Sequence, residues 1–266
     1  MNPGIGEPVI AFPPIESIAT AGWSAPIAME DRTIHVWGFS LDGSLSFVEH
    51  CRSWLSEDER GRAARFIRQR DRGRFVLAHG GLRGVLSRYL GIGPDAVEMY
   101  RSEAGKPSLT RELGDQPAIT FNMSHAHGRA LIAVSKGQEV GVDLERIRSD
   151  VEVAKLSERY FTPSEHATIM QSNQEQRAAR FFRYWVAKEA VLKAQGIGLG
   201  ALSQCEILLG ADGVGAEVLV PVGSPLQYNW KIRLLACGEG WEAAVAVQGV
   251  DWVVRDARER RDGRDG

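Results

Sequence analysis

The chain has 266 residues, 44% hydrophobic and 25% charged, the balance of an ordinary globular protein with room for one large domain or two smaller ones. No run of about 18 apolar residues and no basic-then-apolar N-terminal signal occurs, so a soluble, cytoplasmic protein is expected and a membrane partner is not. Three widely spaced cysteines, Cys51, Cys205 and Cys237, suggest neither a disulfide framework nor a zinc site, and a formal net charge of -2 argues against a general nucleic-acid binder.

In chain order, residues 1–31 are rich in Pro, Gly, Ala and Ser without a sustained period and read as a disordered leader outside the core. Thr33 to Trp37 alternates as a strand does. Ser56 ahead of Glu57, Asp58 and Glu59 has the chemistry of a helix N-cap with an acidic first turn. The helical stretch continues through Phe66, Phe75, Val76, Leu82, Val85, Leu86 and Leu90 until Gly91-Ile92-Gly93-Pro94 breaks it. From Arg52 to Arg88 ten arginines stand against four acids, a local excess of +6 that suits either a solvated face or an anion-binding one. Strands at Ala118–Phe121 and Ala130–Ser135 close this half.

The second half repeats the order, with a strand at Glu139–Glu145, helices at Val151–Tyr160 and Glu165–Met170, and a long helix from about Gln176 to Ala194. Strands follow at Ser203–Leu209, Glu217–Val220, Trp230–Ala236 and Trp241–Gln248. The charged run Arg255–Gly266 reads as a tail that frays from the last strand. The expected architecture is α+β, two similar pseudo-duplicated subdomains at 32–138 and 139–250, with the leader before them, a tail at 251–266, and the ligand cleft between the halves. No residue-level repeat is visible.

Three segments carry chemistry. In Val140-Gly141-Val142-Asp143-Leu144-Glu145 the strand period puts Val142 and Leu144 on one face and both carboxylates on the other. They form either the wet face of an edge strand or a pair of oxygen ligands for Mg²⁺ or Mn²⁺. In Trp185-Val186-Ala187-Lys188-Glu189-Ala190-Val191-Leu192-Lys193 the helical period aligns Trp185, Glu189 and Lys193, with Lys188 beside them. This is either a surface ion pair or a third metal ligand and base flanked by phosphate-binding ammonium groups, and the apolar circumference of the helix weakens the first alternative. Phe121-Asn122-Met123-Ser124-His125-Ala126-His127-Gly128 is read as a segment joining two strands, with His127 a surface loop residue. No phosphate loop, metalloprotease helix or nucleophile elbow is present, and Gly196 to Gly200 follows a helix, which excludes a dinucleotide fingerprint.

Together the Gly141–Glu145 strand and, some forty residues on, the Trp185–Lys193 helix resemble the Sfp-type 4'-phosphopantetheinyl transferase family. Gly105-Lys106-Pro107, Phe121-Asn122-x-Ser124-His125, Leu55-Ser56-x-Asp58-Glu59 and Phe161-Thr162-x-x-Glu165 add to the resemblance, which runs from about Ile34 to Val247. It implies transfer of the phosphopantetheine arm of coenzyme A to a serine of an apo acyl, polyketide or peptidyl carrier protein. The implied fold is two similar α+β subdomains with the site between them, and the implied state a monomer. By the resemblance Asp143, Glu145 and Glu189 hold Mg²⁺, Glu189 is also the base, and Lys193 assists in catalysis. Lys106, Lys188 and Lys193 contact phosphates of the co-substrate coenzyme A, Ser124 and His125 lie near its 3'-phosphate, and Arg65 and Arg68 supply basic groups for the nucleotide. The alternatives are a non-catalytic homologue that binds coenzyme A or carriers, against which the intact carboxylates argue, and a nucleic-acid module, against which the overall charge argues.

Overall fold

The computed structural model describes residues 7–20, 27–102, 105–109, 118–210, 215–219, 229–249 and 252–258. The first half comprises α1 (Ile15–Thr20), β1 (Thr33–Ser40), α2 (Leu45–Trp54), α3 (Glu57–Ala64), α4 (Gln69–Leu90), the short strands β2 (Met99–Arg101) and β3 (Pro107–Leu109), β4 (Ile119–Ala126) and β5 (Arg129–Lys136). The second comprises β6 (Val140–Arg146), α5 (Val153–Tyr160), α6 (Pro163–Met170), α7 (Gln174–Gln195), β7 (Glu206–Leu209), β8 (Gly215–Leu219), β9 (Trp230–Leu234), β10 (Trp241–Gln248) and β11 (Val253–Asp256). Among the described residues no helix is long and apolar enough to cross a membrane.

Two main sheets form, ordered β11-β1-β5-β4 and β6-β10-β9-β8-β7, and β2 pairs with β3 as a separate hairpin. Alternation along the strands splits their side chains between two destinations. Ile34 and Val36 of β1, Leu131 and Ala133 of β5, Val142 and Leu144 of β6 and Val245 of β10 form one core between the sheets. Trp37, Phe39 and Ile132 turn instead toward α4, and Ala244 and Ala246 turn toward α7. Each sheet is thus covered by its own helices on one face and by the other sheet on the other.

The duplication expected from element order extends to single residues. In each half the first strand pairs antiparallel with the last, β1 with β5 and β6 with β10, and the last pairs with the one before it, β4 or β9. Helices α4 and α7 both have 22 residues and both end at a left-handed glycine, Gly91 at φ 65° and Gly196 at φ 68°. Ahead of each stands a capping box, Ser56 with Glu59 on α3 and Thr162 with Glu165 on α6. The box glutamate then reaches the fifteenth residue of the long helix: Glu59 pairs with Arg83 at 2.7 Å, and Glu165 with Lys188 at 2.7 Å. Composition-level inspection misses this repeat because arginine and lysine, or serine and threonine, replace one another at the matching positions.

Four expectations are corrected. The helical stretch of the first half is three helices, and α2, capped by Ser44, precedes the predicted start at Ser56. The segment through Phe121 to Ala126 is strand β4 itself, and only His127 and Gly128 form the link to β5. Both have positive φ, 45° and 88°, as a two-residue hairpin turn that follows strand twist requires. The leader is partly built into the core: Ile10 and Ile15 are buried, Ile10 N donates to Ala236 O at 2.9 Å, and Ser40 N donates to Pro13 O at 2.8 Å. Gly38 admits it, since a Cβ there would stand 2.6 Å from Ala11 O. Finally, the charged tail contains β11, which pairs parallel with β1 and so returns the chain to the first subdomain. The remaining leader residues 1–6 and 21–26 and the tail after 258 lie outside the described residues.

Lys188 is 0% exposed, and its Nζ also donates to Leu202 O at 2.8 Å and Cys205 O at 2.5 Å. Removing one member of a buried ion pair leaves the other uncompensated, at a cost of about 3–5 kcal/mol. Lys188→Met is therefore expected to lower the unfolding free energy by that amount in chemical denaturation, whereas Arg65→Met, on the surface, should change it by less than about 0.5 kcal/mol. Equal stabilities of the two variants would contradict a structural role for Lys188.

Candidate active site

The site begins with the contact between β6 and α7. A Cβ on Gly141 would lie 2.0 Å from Ala190 O and 2.4 Å from Ala194 N, so glycine alone lets the strand lie directly on the helix. Two residues on, Asp143 faces the same helix and meets Lys193, whose Nζ donates to its Oδ1 at 2.6 Å. Ser124 of β4 donates to the same oxygen at 2.8 Å, and Lys193 Nζ donates to Ser124 Oγ at 3.0 Å. A second link joins the halves nearby, from Val142 N to Asn122 Oδ1 at 3.1 Å. Strand β4 of the first half and β6 and α7 of the second thus supply one buried polar group.

Its electrostatics are those of crowded carboxylates. Burial, and then Asp143, push Glu189 up to about 7, with Glu145 adding to the effect and Lys193 opposing it. Burial, and again Asp143, raise Glu145 as well. Asp143 is 3% exposed and Glu189 9%, and Asp143 Oδ2 and Glu189 Oε1 are buried without a hydrogen-bond partner among the described residues. Buried oxygens left in this condition are expensive unless a cation or donor meets them.

Among the described residues no three His, Cys, Asp or Glu side chains are gathered closely enough to hold a metal ion, and Lys193 provides the positive charge at Asp143. The donor set nonetheless fits a small hard cation: all oxygen, anionic, mutually repelling, and with two buried oxygens unpaired.

Beside this group opens a cavity of about 560 Å³ in the first half, walled by α3, α4, the β2–β3 hairpin and β4. Arg62, His79, Arg83, Arg101 and His125 bring nitrogen atoms to it, and Met99, Tyr100 and Met123 add flat or apolar surface. Glu59 organises part of the wall. Burial alone would raise its carboxyl, but the His79 bond, the Ser56 amide and Arg83 hold it down to about 2. His125 reaches solvent through the cavity mouth, yet the protein packed around it, and then His79, Lys193 and Arg62, lower its affinity for a proton. Arg62 Nη1 is buried with no partner among the described residues, and its guanidinium lies 5.1 Å from the Phe75 ring.

The predicted residues divide accordingly. Asp143, Glu189, Lys193 and Ser124 converge, Glu145 is coupled to them, and His125 lies on the neighbouring cavity wall. Lys188 does not reach the cleft, because α7 turns it toward Glu165 and the carbonyls that follow the helix. Arg65 and Arg68 are exposed on the link between α3 and α4 and do not line the cavity. Lys106 donates to Glu139 and to Ala194 O rather than standing free. Sequence reasoning missed Arg62, His79, Arg83 and Arg101. For Arg62 a signal existed, since it follows the capping-box residue Glu59 by one helical turn and so shares its inward face.

The matching place in the second half is a cavity of about 650 Å³ lined by Glu165, Thr168 and Tyr184, the counterparts of Glu59, Arg62 and His79. Arg180 and Arg183 there stand against Glu165, Glu206 and Glu242, whereas in the first-half cavity Arg62, Arg83 and Arg101 stand against Asp58 and Glu59.

Comparison with known proteins matches the two halves separately. Residues 139–246 match the model of the 4'-phosphopantetheinyl transferase superfamily, and residues 44–137 match that of the 4'-phosphopantetheinyl transferase N-terminal domain. The 4'-phosphopantetheinyl transferase HetI of Nostoc sp. is 35% identical over 219 residues, 82% of this chain and 89% of that protein. The 4'-phosphopantetheinyl transferase Sfp of Bacillus subtilis is 29% identical over 82% of this chain and 93% of its own length. The L-aminoadipate-semialdehyde dehydrogenase-phosphopantetheinyl transferase of Mus musculus is 30% identical over 62% of this chain and 56% of its own. With both halves matched in order and its two-subdomain fold in place, the chain belongs to the 4'-phosphopantetheinyl transferase family.

Proposed function

We propose that the protein moves the 4'-phosphopantetheine arm of coenzyme A onto a serine of an apo acyl, polyketide or peptidyl carrier protein and releases adenosine 3',5'-bisphosphate. The observation that carries this reading is the group of Asp143, Glu189, Lys193 and Ser124, joined to an arginine-bearing cavity of nucleotide size through β4, whose Asn122 and His125 line that cavity. In this reading Arg62, Arg101, His79 and His125 face the phosphates and base of the nucleotide end. Lys193 stands between that cavity and the carboxylates, where the pyrophosphate is to be cleaved. The cavity of one half and the carboxylate group shared by both halves lie in a single chain, so a monomer suffices, and the cytoplasm is the setting we assign.

Asp143, Glu145 and Glu189 would hold Mg²⁺ or Mn²⁺, which when bound neutralises pyrophosphate charge and charge developing on the leaving group. The remaining work falls to side chains. We assign Glu189 the hydroxyl proton of the carrier serine: burial and then Asp143 raise its carboxyl to about 7 in the metal-free protein, and a bound cation would lower it and keep it ionised at neutral pH. Lys193 balances the phosphate charge, and Ser124 holds Asp143 in place by its hydrogen bond. Attack of the serine oxygen on the β-phosphorus forms the new P–O bond as the bond to the bridging oxygen breaks.

Incubation with coenzyme A, Mg²⁺ and a panel of apo carriers, read by carrier mass, tests the reaction. Asp143→Ala should abolish transfer while the protein stays folded, and Glu189→Gln should lower kcat by roughly 10² to 10⁴. An unchanged carrier mass throughout the wild-type panel, or wild-type rates in Asp143→Ala, would overturn the assignment.

The nucleotide end is tested separately. Losing a charge-assisted hydrogen bond is worth about 1.5–3 kcal/mol, so Arg62→Ala should raise KM for coenzyme A roughly 10- to 100-fold. Arg65→Ala should change KM by less than about twofold, as an exposed charge does. The reverse ranking would move the nucleotide out of this cavity.

The metal assignment has a readout independent of turnover. Glu189 is raised from 4.5 to about 7 by folding, so its favourable contribution is complete below pH 4.5 and is lost as pH rises through 7. His125, whose proton affinity is lowered to about 4, works in the opposite direction over the same range, so the readout is the difference between variants: from pH 5 to pH 8 metal-free wild type should lose more stability, or gain less, than Glu189→Gln. Mg²⁺ should raise the melting temperature more at pH 8, where the site is anionic. A melting temperature indifferent to Mg²⁺ at both pH values would argue that these carboxylates hold no metal.

A further inference from the structure

Lys106 lies in the bend between β2 and β3, on the hairpin that forms the outer wall of the first-half cavity through Met99, Tyr100, Arg101 and Pro107. Its backbone is fixed locally, with Lys106 N donating to Ser102 Oγ at 3.1 Å and Ser102 N to Lys106 O at 2.9 Å. Its side chain leaves the hairpin and crosses to the other subdomain. There Nζ donates to Ala194 O at 2.5 Å and to the carboxylate of Glu139, the residue just before β6. The stem runs beside Gly196, which ends α7 in the left-handed conformation.

Two physical effects favour this placement. The last carbonyls of a helix have no partner within it and carry its negative end, so an ammonium group there is stabilised. Glu139 adds a full negative charge on the same nitrogen. The Lys106 side chain is only 14% exposed, and two of the three donors of its ammonium are committed to Glu139 and Ala194 O.

We infer that Lys106 and Glu139 form a tie across the cleft, fastening the β2–β3 hairpin to the end of α7 and so setting the width of the cavity. Both are then positioning residues for coenzyme A, and Lys106 is not a ligand of its phosphates. This rests on the functional reading above for the identity of the ligand, but not for the tie itself. Loosening the tie lets the hairpin swing from the cavity, which weakens binding of the nucleotide end and leaves the carboxylates and Lys193 undisturbed.

The test has two arms. Amide hydrogen exchange on the ligand-free protein reports the hairpin, and steady-state transfer to an apo carrier reports its consequence. Glu139→Gln and Lys106→Met should each speed exchange at residues 99–102 and 105–109 about tenfold or more, while Lys106→Arg, which keeps the charge, exchanges more slowly than Lys106→Met. Both should raise KM for coenzyme A about three- to tenfold with kcat within about twofold, and the double variant should be no worse than Lys106→Met because one connection is lost once. Unaltered hairpin exchange in both single variants overturns the tie. So does a Glu139→Gln variant with lowered KM beside a Lys106→Met variant with raised KM, since that pattern marks a phosphate ligand released from a competing carboxylate. A wild-type protein that neither binds coenzyme A nor modifies a carrier would overturn the functional reading instead, and the exchange arm would still decide the tie.

Discussion

The structure depends on one close approach, that of β6 to α7 at Gly141. Because no side chain intervenes, the backbone of the strand lies against Ala190 and Ala194, and the next inward residue, Asp143, is delivered to Lys193 and the neighbourhood of Glu189. Strand period and helix period then do the rest: every second residue of β6 faces the helix, and residues 189 and 193 of α7 share a stripe. The result is a set of carboxylates too crowded and too dry to be content as anions, which is why burial and mutual repulsion raise Glu145 and Glu189. A group that is electrostatically unsatisfied by its own protein is suited to a charged ligand.

Duplication explains how the remainder of the fold supports that group. Each half uses a capping-box glutamate to lock a short helix onto the fifteenth residue of a long one. In the second half this role consumes Lys188, and the neighbouring Glu189 and Lys193 are turned toward Asp143. In the first half it consumes Arg83, and the same framework carries Arg62 and His79 toward a cavity. The two copies thus keep one packing solution while placing different side chains on it, Asp143, Glu145 and Glu189 in the second and Arg62 and His79 in the first.

The two ends of the chain hold these copies together. The leader contacts the second half through Ala236 and through Glu7 to Arg183, then the first half through Ser40 and the N-cap of α2, where Glu16 accepts from Ser44. Strand β11 joins the first-half sheet from the far end of the sequence, and Arg258 meets Ala11 O at 2.8 Å. Both halves are thus touched by segments that belong to neither repeat.

The local patterns in the sequence were sufficient for the main strands and long helices, the N-cap at Ser56, the shared face of Asp143 and Glu145, and the stripe of Glu189 and Lys193, but not for α2, the β2–β3 hairpin or β11. Those depend on periods of two and 3.6 residues, which any short window displays. Family resemblance supplied the chemical reading of the same residues. What the sequence did not show depends on partners far away in the chain. Lys188 and Glu189 are adjacent letters, but one helical step of about 100° sends the first into a buried pair with Glu165 and the second to the cleft. Ile10 and Ile15 lie in a leader without periodicity, and nothing marks them as core residues until Gly38 and the sheets provide a groove for them. Charge density marked the arginine stretch without distinguishing Arg62, turned inward above Phe75, from Arg65 and Arg68 on the surface. Direction and burial at these positions were decided by tertiary packing, because they are set by which distant surface a side chain meets and not by the residue type it carries.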